Sequence, residues 1–123
     1  MIPQLNPSDF AAWRDAAACG AASGAASLPM VLDVREPWEL QTASVKPDGF
    51  TLMLIPMREI PARVAELLDA HGADYPIACL CHHGMRSLQV ANYLQQSGFT
   101  QVVNVQGGID AWAKQVDASV ALY

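Results

Sequence analysis

No apolar run in this chain approaches the roughly 20 residues that a membrane-spanning helix needs; the stretch from Ile77 to Cys81 is far too short. Charge is sparse as well, at 15% of residues, and its balance is acidic, with a formal charge of −5 and a pI near 4.9. That sign argues against nucleic acid or an anionic membrane as the main partner. Cysteine is scarce and odd in number, three in 123 residues, which does not suggest a disulfide framework. The start, Met1 to Pro7, lacks the basic flank and apolar core of a secretory signal. An internal repeat is missing too. These absences lead us to expect a soluble, cytoplasmic protein with at least one free thiol.

What is present is apolar: 52% of residues are hydrophobic, enough for a real core. The length suits one domain over 1–123, with a loose Ala/Gly/Ser loop at 18–28 and a tail at 117–123. Asn6 can cap a helix that Pro7 opens, and Phe10, Trp13 and Ala17 recur at helical spacing up to Ala18. Met30–Val34, Thr51–Ile55, Ile77–Cys81 and Val102–Val105 read as short buried strands. Between and after them, Glu36–Leu40, Pro61–Ala70, Arg86–Ser97 and Ile109–Val116 read as helices. Strands alternating with helices predict a three-layer α/β domain. Its parallel sheet has about five strands, the fifth a short segment near Ile2 to Leu5, and helices cover both faces. In such sheets ligands bind at the carboxyl ends of strands.

The loop Cys81-His82-His83-Gly84-Met85-Arg86-Ser87 leaves one of those ends. A thiol placed there can face solvent, and Gly84 allows the backbone to curl so that successive amides aim at one point. The next helix starts at about Arg86, so its positive end and the guanidinium are expected to face the sulfur. Surroundings of that kind favour the anionic, nucleophilic form of a thiol and would also hold a bound oxyanion. The plainer alternative, a buried structural cysteine, leaves the Gly- and Arg-containing turn unexplained.

Three segments, Asp33-Val34-Arg35-Glu36, the Cys-x-x-Gly-x-Arg-Ser loop and Gly107-Gly108-Ile109-Asp110-Ala111-Trp112, together resemble the rhodanese-like domain in order and spacing, from about Gln4 to Val116. The resemblance implies sulfurtransferase activity, moving sulfane sulfur from a donor such as thiosulfate to a thiol or cyanide. It places the persulfide on Cys81, with Arg86 closing the loop and His82, His83, Gly84, Met85 and Ser87 around the substrate. It also implies that Asp33 and Arg35 are architectural, tying loops beside the site together. Four residues separate Cys81 from Arg86, one fewer than related phosphatases and arsenate reductases carry, which favours sulfur over a larger oxyanion. A persulfide carrier or partner-binding module needs the same cysteine and stays open, as does a sulfur-relay protein as partner. The histidine that many members place before the next strand is missing from Ala43 to Phe50.

The remaining residues have bland readings. His82 and His83 can donate to a bound anion or simply lie exposed. Cys79, Cys81, His82 and His83 are crowded but lack the spaced pairs of a zinc site, so neither metal nor cofactor is expected. Cys79 points to the same face as Cys81 and reads first as core, less readily as a resolving thiol. Cys19 looks incidental. Gly107 and Gly108 suit a tight turn, Trp112 packing, and His71 the negative pole of a helix end.

Overall fold

The computed structural model describes residues 2–19 and 28–122. Most of the loop expected at 18–28 therefore lies outside the described residues, as does the side chain of Cys19. Five strands, β1 (Gln4–Leu5), β2 (Met30–Asp33), β3 (Thr51–Leu54), β4 (Ile77–Leu80) and β5 (Val102–Val105), form one parallel sheet in the order β1-β5-β4-β2-β3. The helices are α1 (Phe10–Cys19), α2 (Pro37–Thr42), α3 (Ile60–His71), α4 (Met85–Gln96) and α5 (Gly108–Gln115). Short 3-10 turns at Pro7–Asp9 and Met57–Glu59 lead into α1 and α3. Asn6 caps the first turn, its side chain accepting from the Ser8 amide at 3.2 Å.

Strand alternation divides the core in two, because successive side chains of a strand point to opposite faces. On one face Met30, Leu32, Ile77, Cys79 and Val102 meet Ile60 and Leu67 of α3 and Val90, Ala91 and Leu94 of α4. On the other, Val31, Ala78, Leu80 and Val105 meet Phe10 of α1 and Ile109, Trp112 and Ala113 of α5. Phe10 packs edge-on against Trp112 and Phe50, with ring centroids 4.7 and 5.3 Å apart. The segment read as a tail contributes Val120 to this second core, held by the Val120 amide on the Asp117 carbonyl. The expected three layers are therefore present, and the helix and strand bounds differ from the sequence reading only at their ends.

The strand order reverses between β2 and β4. β2 passes outward to β3, and the chain then returns to lay β4 on the other side of β2. At that reversal the connections leave in opposite directions and open a crevice at the carboxyl ends. The segments after β2 (Val34 to Glu36) and after β4 (Cys81 to Gly84) share that crevice, joined where the Val34 amide donates to the Leu80 carbonyl at 2.9 Å.

Candidate active site

Cys81 follows the last residue of β4, and Gly84 is the N-cap of α4. The loop between them is built from backbone first. The amides of Ile109 and Asp110, in the first turn of α5, donate to the carbonyls of Cys81 (2.8 Å) and His82 (3.1 Å). Those carbonyls are thereby turned toward α5 and the Gly84 amide is left facing the sulfur, 3.1 Å from Cys81 Sγ. Two glycines make this approach possible. A Cβ on Gly108 would sit 2.4 Å from both carbonyl oxygens, and Gly84 has φ +100°, in the left-handed region. Ser87, one turn into α4, puts its Oγ 3.3 Å from the same sulfur.

The loop closes over the thiol. Cys81 is only 1% exposed, not open to solvent as the strand-end position suggested, because the chain curls back across it to seat Gly84 and Ser87 on Sγ. Of the other loop residues, Met85 is 70% exposed, His83 exposed and His82 half-buried. The two imidazoles stack on each other at 3.8 Å. Among the described residues, His82, His83 and Asp110 form a group whose ligand atoms lie within 4.8 Å of one another. The Asp110 carboxyl is shifted below its ordinary value, first by its hydrogen bond with Lys114 and further by the charge of Lys114 and the neighbouring histidines.

Arg86 lies where expected, at the start of α4, but its guanidinium grips Glu39 of α2 in a fork, Nη1 to Oε1 at 2.7 Å and Nη2 to Oε2 at 2.8 Å. Glu39 is almost fully buried, and its Oε1 also accepts the Glu36 amide in a capping box at the start of α2. Asp33 and Arg35 form the expected architectural pair, both fully buried. Arg35 Nη2 reaches Asp33 Oδ2 at 2.8 Å and the Ala43 carbonyl at 2.9 Å, fixing the chain on either side of α2. Cys79 is fully buried in the α3/α4 core, where burial first and the neighbouring Cys81 second push its thiol far up. That makes it an inert core thiol.

Sequence reasoning missed Glu39, Asn104 and Asp110. Glu39 and Asn104 are 47 and 17 residues from the side chains they hold, Arg86 and Ser87, so no local spacing betrays them. The signal for Asn104 was faint but present: an amide in the otherwise apolar strand Val-Val-Asn-Val demands a buried partner.

Residues 16–115 match the sequence profile of the rhodanese-like domain. A sulfurtransferase of Allochromatium vinosum is 36% identical over 85 residues, which cover 69% of this chain and 72% of that protein. The chloroplastic rhodanese-like/PpiC domain-containing protein 12 of Arabidopsis thaliana is 38% identical over 93 residues, 76% of this chain but only 30% of the longer relative. Among solved structures, a rhodanese-related protein from Thermoplasma volcanium superposes with a TM-score of 0.68 at 29% identity, covering 98% of this chain and 99% of that one.

Proposed function

The chain belongs to the rhodanese-like domain family, and from that premise we propose that it is a sulfurtransferase whose Cys81 carries sulfane sulfur as a persulfide. The observation that carries this reading is the ring of donors on one sulfur: the Gly84 amide at 3.1 Å and the Ser87 hydroxyl at 3.3 Å of Cys81 Sγ. The Gly84 amide, fixed by the backbone, stabilises negative charge on the sulfur without reorganising at the moment of reaction, and the Ser87 hydroxyl adds a second donor when it turns to Sγ. The Cys81 thiolate attacks the outer sulfur of a donor such as thiosulfate. The donor's S–S bond breaks, sulfite leaves with the electron pair, and the enzyme holds Cys–S–S⁻. A thiol or cyanide acceptor then takes the outer sulfur and returns the thiolate, so one transfer is split into two easier ones. Arg86, locked to Glu39, serves this scheme by fixing the start of α4 under the loop.

Intact-protein mass after brief exposure to thiosulfate tests the proposal in wild type and Cys81→Ser. The expected result is one added sulfur in the wild type alone, removed by cyanide with release of thiocyanate. A gain that survives Cys81→Ser would move the chemistry to another cysteine and overturn the assignment. No gain with thiosulfate, mercaptopyruvate or a cysteine-desulfurase supply would overturn sulfur transfer itself.

A further inference from the structure

Asn104 is an amide in the middle of a buried strand, 1% exposed, and its three hydrogen bonds converge on the sulfur loop and its neighbour β1. Its Nδ2 lies 3.1 Å from the Gly84 carbonyl and 2.9 Å from Gln4 Oε1, and its Oδ1 lies 2.5 Å from Ser87 Oγ. A backbone carbonyl can only accept, so the Gly84 oxygen requires the NH₂ of Asn104 on its side. The amide oxygen must then face Ser87, and there it can only accept. Ser87 has a single hydroxyl proton, and two atoms compete for it: Asn104 Oδ1 at 2.5 Å and Cys81 Sγ at 3.3 Å. The oxygen is the closer and the stronger acceptor.

From this we propose that Asn104 is a positioning residue that holds the Ser87 hydroxyl turned away from Cys81 whenever the sulfur is uncharged. The inference rests on the sulfurtransferase reading and deepens it. In the resting thiol, the Cys81 S–H donates to the Ser87 lone pair while Ser87 donates to Asn104, and every partner is satisfied. When Cys81 ionises, Ser87 must swing its proton to the sulfur and leave Asn104 Oδ1 without a donor. After sulfur transfer the charge resides on the outer atom of the persulfide, the inner Sγ is neutral again, and Ser87 can return to Asn104. Asn104 therefore works against the thiolate and spares the two neutral-Sγ states before and after it. Cys81 is released as a nucleophile only by the price of one hydrogen bond.

The test is a double-mutant cycle read by the rate at which iodoacetamide alkylates Cys81 at neutral pH, with the alkylated residue identified by peptide mass. Asn104→Val frees the Ser87 proton for the sulfur, so alkylation should quicken about fivefold, the factor that one ordinary hydrogen bond represents. Ser87→Ala should slow it, and adding Asn104→Val to Ser87→Ala should change nothing further. If Asn104→Val accelerates alkylation equally in both backgrounds, the residue merely keeps the loop closed, and the inference is overturned. No change in either background overturns it as well. Asn104→Ala, which leaves room for a water at the Gly84 carbonyl, makes the same cut should the valine variant fail to fold. Loading of the wild type with thiosulfate, mercaptopyruvate or a cysteine-desulfurase supply, followed by mass, separates the two levels: failure with all three overturns the sulfurtransferase reading, whereas loading with an additive cycle overturns only the role of Asn104.

Discussion

The sulfur of Cys81 is governed by groups that own no reactive chemistry. Gly84 supplies an amide, Gly108 an empty space and Asn104 an orientation, and each acts by controlling where a hydrogen or a carbonyl can lie. Gly84 carries a backbone constraint of its own. Its φ of +100° is unfavourable for any residue with a Cβ, and that Cβ would lie 3.1 Å from the Gly107 nitrogen. Gly84→Ala should therefore cost about 1–2 kcal/mol of stability from the backbone alone, checked by urea denaturation. The same change should slow thiosulfate loading, because it displaces the amide bonded to Sγ. Stability lost with loading rate retained would show that the Gly84 amide is not needed by the sulfur. The cysteine and glycine of this loop were readable in the sequence, since their types announce a thiol and a turn. Gly108 was readable only as a turn former; the two carbonyls it admits belong to residues 27 and 26 positions earlier, Cys81 and His82.

Between elements, the decisive contact is the fork that ties the first turn of α4 to α2. Arg86 is about one-third exposed while Glu39 is buried, so the pair is only partly screened. Glu39→Gln removes the charge and one arm of the fork while keeping the side chain's shape. The expected loss is about 1–2 kcal/mol, at the lower end for a charge-assisted pair because Arg86 is wet. It should be accompanied by slower sulfur loading, and Arg86→Lys should act in the same direction because an ammonium cannot reproduce the two parallel bonds. Loading at the wild-type rate in both variants would remove the fork from the mechanism. The sequence placed Arg86 correctly at the helix start and could not name its partner: Glu39 meets it only because β2 and β4 are neighbours. The same adjacency explains why Asp33 and Arg35 sit beside the sulfur loop although they precede it by nearly 50 residues.

At the scale of the molecule, the α3/α4 core sets the fates of two thiols on one strand face. Cys79 lies within the sheet and Cys81 just beyond its edge. The Cys79 thiol is pushed up from its ordinary 9.0 by burial and by the neighbouring sulfur. The unfolded chain releases that proton near pH 9 while the folded chain keeps it. The contribution is therefore complete below pH 9 and is lost as pH rises beyond it, by up to about 1.4 kcal/mol per pH unit. Wild type should consequently lose more stability between pH 8 and pH 10 than Cys79→Ala does, with urea denaturation at each pH as the measurement. Equal slopes in the two proteins would mean that Cys79 can ionise in the folded state. The first helix, the alternation of elements and the layered sheet were all legible beforehand, because apolar periodicity and capping residues are local properties.

Which segments are strands and helices, their arrangement in a parallel α/β layer structure, and which cysteine opens a glycine- and arginine-bearing turn could all be read along the chain. These follow from side-chain period and backbone chemistry within a few residues of chain. The closing of the loop over Cys81, the pairing of Glu39 with Arg86, and the contention of Asn104 with Cys81 for the Ser87 proton emerge from folding alone. The difference is one of range. A hydrogen bond is settled by tenths of an ångström between atoms that the strand order β5-β4-β2 brings together, and no pattern along the chain encodes that distance.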